Sequence, residues 1–191
     1  MTRDELLRGN NSAEIYRRKV KLALAIVAYV GSIVVANIAT SYFGLVPIGF
    51  GLVVSAGSFA AGAALVLRDA VQVYGDLRYV FGAILVGAGL SFAMATPAIA
   101  YASCIAFLVS EMVDWGVFTP LRRNGLAKAV VVSSIVSAPV DTVLFLYLAG
   151  FSVTWQAVLG QFLVKTVMAL AAAAVITLFI RHREMAKGHS E

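Results

Sequence analysis

The chain is poor in the residues that do most enzyme chemistry. It has one cysteine, Cys104, and two histidines, His182 and His189, both in the last ten residues. A single cysteine excludes an intramolecular disulfide framework and a cysteine-built metal site. Cys104 lies in an apolar run and reads as packing. Without histidine before residue 182, the apolar region has neither histidine acid–base chemistry nor a histidine metal site. No metal and no cofactor is expected.

Charge is scarce too. Only 13% of the 191 residues are charged, 61% are hydrophobic and the mean hydropathy is +0.90. Soluble domains are about half apolar and a quarter charged. The chain therefore reads as an integral membrane protein with no room for a separate soluble domain. The N-terminus does not read as a cleavable signal, because a polar stretch of about twenty residues precedes the first apolar run.

What is present is a series of long apolar runs. Six are long enough to span a bilayer: Val20–Tyr42, Phe50–Leu67, Tyr79–Ala95, Ala98–Phe118, Ala127–Ala149 and Thr154–Ile180. Only Thr96 and Pro97 separate the third from the fourth, and proline is a suitable break. The expected fold is all-α, a six-helix transmembrane bundle over 20–181 with tails at 1–19 and 182–191. Fourteen of the fifteen Lys and Arg residues fall in the two tails and the residues that border them (Lys21 and Arg181), in RDAVQVYGDLR and in TPLRRNGLAK; YFGLVPIG, TP and AGFSVTW have none. The positive-inside rule then puts both termini in the cytoplasm. The net charge of +5 is this topological signal plus attraction to anionic lipid, and it does not indicate nucleic acid. Small residues four apart, at Ser58/Gly62, Ala56/Ala60/Ala64 and Ala83/Gly87/Ser91, allow close helix packing. They suit a compact monomer better than a dedicated homodimer face, though a homodimer stays open.

The fifteenth cation, Lys165, falls near the middle of the last run. A charge there needs a partner or a wet cavity. Asp141 in the fifth run and Glu111 and Asp114 in the fourth are the candidates. Phe107, Ser110, Glu111 and Asp114 share one helix face, with Ser103 above them. Ser134, Ser137 and Asp141 form a second stripe, Gln161 and Lys165 lie one turn apart, and Asn37 is on the first run. Polar stripes on four helices must turn inward. They would enclose a polar cavity rimmed by Phe107, Phe145 and Tyr101. A Lys165–Asp141 pair alone would only tie helices together. The three acids against one lysine favour a cavity that binds something. Asp114 has an alternative in Arg122.

Other classes fit less well. Serine and zinc proteases need a histidine in the bundle. An aspartyl protease would have to use Asp114 and Asp141, but the Gly75–Asp76 dipeptide lies in a loop rather than a span. A channel lacks an evident ring of charges. A purely structural membrane protein would tolerate leucine at Glu111 and Asp114. The chain is not expected to be an enzyme.

Several segments together resemble the queuosine precursor transporter family, formerly described as vitamin uptake transporters. They are Ala36–Asn37, RDAVQVYG at Arg68–Gly75, ASCIAFLVSEMVDWGVFTPLR at Ala102–Arg122, S-x(6)-D-T-x-x-F at Ser134–Phe145, and Lys165. The resemblance covers Val20 to Ile180. It implies a multi-pass importer in the inner membrane for 7-deazaguanines such as preQ0 and preQ1. By position, Asn37, Asp69, Asp114, Asp141 and Lys165 fall on the family's polar positions, and Glu111 where the family has Glu or Gln. The helix-face spacing and the resemblance together give the expected substrate-binding set, Asn37, Phe107, Ser110, Glu111, Asp114, Asp141, Gln161 and Lys165, with Arg68 and Asp69, at the cytoplasmic end of the second run, as a gate or coupling pair. A guanine-like base offers adjacent N–H donors to a carboxylate or amide, and a flat face to Phe107. Proton coupling through Asp114, Asp141 or Glu111 and uncoupled import are equally consistent. A six-helix chain also resembles the substrate-binding subunits of energy-coupling-factor transporters. That arrangement would need an ATPase partner docked on small residues such as Ala28/Ser32 and Ala36/Thr40.

Overall fold

The computed structural model describes residues 3–121, 123, 126–168 and 170–171. Six helices are described: α1 (Arg3–Phe43), α2 (Ser58–Tyr74), α3 (Leu77–Met94), α4 (Pro97–Leu121), α5 (Leu126–Leu148) and α6 (155–168). The expected first span is the C-terminal part of α1, which runs back through the segment read as a tail as far as Arg3. The rest of the expected sixth span and the C-terminal tail lie outside the described residues.

The second span was expected to start at Phe50. Instead Leu45–Gly49 (β1) and Leu52–Ser55 (β2) pair as an antiparallel hairpin, and the helix starts at Ser58. The bundle is therefore not purely helical. The reason is local: Gly44 stops α1 at φ +59, Pro47 cannot continue a helix, and Gly49 and Gly51 take positive φ around the tip. The β-branched residues between them suit a strand. The tip residue Phe50 is fully exposed, whereas Val54 and Ser55 are buried. The hairpin thus plugs one end of the bundle.

Glycines let it seat there. A Cβ on Gly57 would strike the Ala36 carbonyl oxygen, and one on Gly160 would lie 2.5 Å from the Val53 oxygen. Thr40 Oγ1 accepts from the Gly57 N–H at 3.0 Å and donates to Ala36 O. The rows of small residues serve the same end inside the chain. A Cβ on Gly62 would meet Met168 Cβ at 2.5 Å and Lys165 O at 2.7 Å, and one on Gly87 would press on Ile33. So α2 meets α6 closely beside Lys165. Gly62→Leu is expected to cost roughly 1–3 kcal/mol by overpacking, read as a lower melting temperature in detergent. Gly82→Ala, where an added Cβ meets nothing within 4 Å, should leave it unchanged. Equal melting of both variants would mean that α2 and α6 do not touch there.

The opposite end is closed by side chains from α1. Arg18 Nε donates to the Tyr74 carbonyl at 3.0 Å, and Lys21 Nζ stands 5.5 Å from the centre of the Tyr74 ring. Both cations sit at the C-terminus of α2, where a helix favours positive charge. Asp76 caps α3 by accepting from Arg78 N at 2.9 Å and pairs with the Arg78 guanidinium at 2.7 Å. The Arg78 side-chain bond holds this exposed carboxyl below its ordinary range. Its contribution is complete above the ordinary carboxylate pKa and disappears as pH falls through the depressed one. Asp76→Ala should therefore lower the melting temperature slightly in the neutral region and leave the acid end of the profile little changed, which flattens the acid limb. The third and fourth spans break as expected, with Ala95 extended and Pro97 opening α4.

Glu14–Phe43, Leu77–Met94 and Pro97–Leu121 are each long and apolar enough to cross a membrane, and Ile135–Leu148 is a shorter apolar stretch. Their outward surfaces are apolar, with Val27, Val35, Leu85 and Val86 exposed. Exposed Tyr42, Phe43, Tyr147 and Trp155 gather at the hairpin end, and Tyr79 and Trp115 lie toward the other. Aromatic rings of this kind favour membrane interfaces.

Candidate functional site

Charged and polar side chains meet inside the bundle at two levels. At the first, Lys165 Nζ on α6 lies 2.6 Å from Asp141 Oδ2 on α5 and donates to Thr142 Oγ1 at 3.2 Å. Both ion-pair residues are buried. Charges so placed depend chiefly on each other, because only 8% of the Lys165 side chain and 12% of the Asp141 side chain is exposed. The partner chosen from the sequence as one of three is thus Asp141. Thr142 was not singled out; it follows Asp141 directly and is wholly buried.

At the second level Arg68 on α2 reaches across to Glu111 on α4 at 3.0 Å and holds Asp69 at 2.9 Å. This corrects the expected charge balance. Arg68 was placed in an end-of-helix gate apart from Glu111, leaving Lys165 as the one internal cation. Its side chain is 15% exposed and that of Glu111 is 5%, so a second cation enters the interior and the surplus of acid shrinks. The arginine lies about 9 Å from the end of α2 at 1.5 Å per residue, and its long stem covers that depth. Asp69 is largely exposed at 58% of its side chain.

Asp114 is held by Ser137, whose hydroxyl donates at 3.3 Å. The alternative partner Arg122 lies outside the described residues, as does the side chain of Ser134. Asn37 donates to Ser91 Oγ at 2.9 Å, joining α1 to α3. Ser110 donates back to Phe107 O at 3.1 Å, a local helix bond. Tyr101, expected at the rim, is 53% exposed and faces away from the cavity. It falls off the face because Ser103, Phe107 and Ser110 set that face and Tyr101 is half a turn from Ser103.

These groups line three cavities in succession. The first, a chamber of about 20 Å³ beneath the hairpin, is lined by Asn37, Ser58, Ser103, Phe145 and Gln161, together with Phe107, Asp141 and Lys165. The same Phe107, Asp141 and Lys165 form part of the wall of a larger cavity of about 480 Å³, which also takes in Tyr29, Ser110 and Ser137. That cavity in turn shares Arg68, Asp69 and Glu111 with a third, of about 300 Å³, which reaches Gln72, Leu77, Asp114, Trp115 and Phe118. The line of cavities runs from the hairpin end to the end where α2 turns into α3. Two ion pairs partition it.

One feature of the chamber is chemically incomplete. Gln161 is fully buried, and among the described residues neither its amide oxygen nor its amide nitrogen has a partner, nor does Asp141 Oδ1. Buried polar groups are normally satisfied.

Tyr29 and the hairpin serines were missed from the sequence. Tyr29, Ile33, Asn37 and Thr40 recur at helical spacing and are all buried, so the stripe was legible. Ser55 and Ser58, bonded to each other at 2.8 Å, reach the chamber only because of the hairpin.

Among the described residues no group of three metal-capable side chains comes together. Neither the curated proteins nor the solved structures contain a match to this chain. Residues 22–179 match the family model described as "Putative vitamin uptake transporter". That span is most of the chain and includes every residue of the two ion pairs. With its apolar helices and its polar interior, the chain belongs to the vitamin uptake transporter family, membrane proteins that carry a small molecule.

Proposed function

We propose that this chain imports a 7-deazaguanine precursor of queuosine, of the preQ0 or preQ1 type, across the inner membrane. The observation that carries the reading is the line of three cavities divided by Lys165–Asp141 and Arg68–Glu111. A molecule crossing the bundle would pass Phe107, Asp141 and Lys165, then Arg68 and Glu111. Each ion pair would part to admit it and re-form behind it. The family's polar positions, Asn37, Asp69, Asp114, Asp141 and Lys165, all lie on this line or its wall.

In this reading α1 to α6 all span the membrane, both termini and the Arg68 end face the cytoplasm, and the hairpin faces outward. The basic residues at the turns support that orientation. Phe107 stacks on the flat base, while Gln161 and Asp141 face its polar edge. An ATPase-dependent binding subunit is disfavoured. Ala36 and Thr40, half of the small-residue row offered for docking, are buried against Gly57. The rows at Gly62 and Gly87 are likewise used inside the bundle, so they do not supply a homodimer face.

The test is import in cells unable to make preQ0, expressing this chain and supplied with nanomolar preQ0 or preQ1. Queuosine in tRNA is read from its retarded migration in a boronate gel. Retarded tRNA with the chain and none without it is the expected result. Unretarded tRNA with both bases, with the protein present in the membrane, would remove the queuosine assignment.

A further inference from the structure

Three buried side-chain atoms among the described residues have no partner: Gln161 Nε2, Gln161 Oε1 and Asp141 Oδ1. Both residues line the same chamber. The three atoms comprise one donor group and two acceptors. Lys165 Nζ sits 2.6 Å from the other oxygen of the same carboxylate and leaves Oδ1 to face the chamber. Gln161 is itself one helical turn from Lys165.

We infer that Gln161 and Asp141 together read a ligand edge made of one acceptor and two donors. A guanine-type edge has that composition: ring carbonyl, ring N–H and exocyclic N–H. The Gln161 amide nitrogen would donate to the carbonyl, its oxygen would accept from the ring N–H, and Asp141 Oδ1 would accept from the exocyclic amine. An adenine-type edge offers a single exocyclic amine and a bare ring nitrogen, and leaves one acceptor empty. A hypoxanthine-type edge lacks the exocyclic amine and leaves Asp141 Oδ1 empty. An unpaired buried acceptor is costly, so the site would select by what it leaves unpaired. The class is planar 2-amino-4-oxopyrimidines fused to a second ring, which includes guanines, 7-deazaguanines and pterins. The chamber's roughly 20 Å³ admits about one water molecule, so it takes the edge of such a ligand and not its ring. The ring would lie in the neighbouring cavity of about 480 Å³ against Phe107, which lines both.

This deepens the proposed function and rests on it for the deazapurine ring alone. The test is calorimetric binding to the purified full chain in lipid nanodiscs. The probes are 7-deazaguanine, 7-deazahypoxanthine, 7-deazaadenine and pterin, with wild type, Gln161→Leu and Gln161→Glu. Expected is binding of 7-deazaguanine, with 7-deazahypoxanthine and 7-deazaadenine each at least about tenfold weaker, since each leaves one acceptor empty. Gln161→Leu and Gln161→Glu should each weaken 7-deazaguanine by about 100-fold. Without ligand, Gln161→Leu should melt no lower than wild type, because it removes unsatisfied polar atoms and breaks no bond. A glutamine with only a structural role predicts the opposite: lower melting and unchanged ranking of the probes. Pterin binding that depends on Gln161, without 7-deazaguanine binding, would keep the edge assignment and discard the queuosine one. Equal affinity for all four probes, full affinity in Gln161→Leu, a lower melting temperature in the ligand-free variant, or no binding of either 7-deazaguanine or pterin would each overturn the inference.

Discussion

Lys165→Met is expected to abolish import and to lower stability by about 3–5 kcal/mol, the usual result of stranding one member of a buried pair. The partner left behind is Asp141, then a largely buried charge without its cation. For a chain of this size the loss corresponds to roughly 6–20 °C in melting temperature. Asp141→Asn strands Lys165 less severely, because the amide oxygen and Thr142, 3.2 Å from Nζ, still accept from it. It should melt between wild type and Lys165→Met. The informative variant is the double one, Lys165→Met with Asp141→Leu. Removing both charges should restore most of the melting temperature, since an apolar replacement of a buried pair is often neutral. Import should stay absent. Detergent melting and boronate-gel mobility of tRNA measure the two quantities separately. A double variant that imports normally would reduce the pair to a strut between α5 and α6.

The second large effect is expected at Glu111. Glu111→Leu leaves the largely buried Arg68 with the exposed Asp69 as its remaining ion-pair partner among the described residues, Asp114 acting from farther off. That remaining pair is worth about 0–1 kcal/mol, as exposed pairs are, so it compensates little. A stability loss of about 3 kcal/mol and the loss of import are expected. Glu111→Gln should keep much of both, because its amide oxygen still accepts from Arg68 Nη1, now 3.0 Å from Glu111 Oε2. This outcome would agree with a family position that accepts either Glu or Gln. If Glu111→Leu imports as well as wild type, the partition at Arg68 does not lie on the path. Asp114→Leu breaks only a 3.3 Å bond from Ser137 and should cost less in stability.

Much of this protein could be deduced from composition and spacing. Apolar runs place the ends of α3, α4 and α5 to within three residues, because helix length in lipid is set by membrane thickness, whereas α1 starts seventeen residues before its run and α2 is displaced into RDAVQVYGDLR as far as Tyr74. The face carrying Phe107, Ser110, Glu111 and Asp114 is likewise a matter of helical period. That Lys165 needed an acid followed from its depth alone.

Other features depended on contacts between residues far apart in the chain. The turn residues of the hairpin are local, but its seat is not: Gly57 and Gly160 make room for it against α1 and α6, and hydropathy does not distinguish a buried strand from a buried helix. Arg68 looked like one more cation at a helix end. Its length lets it turn inward to Glu111, forty-three residues away, and no local pattern records that choice. Nor does spacing reveal that Gln161 lacks a partner, since satisfaction of a buried amide depends on every helix around it. The sequence by itself determined the helices, their polar faces and the need for charge compensation, all of which follow from period and depth. Tertiary structure alone decided which acid meets which cation and which polar atoms remain free, because those depend on how six helices and a hairpin close around a common axis.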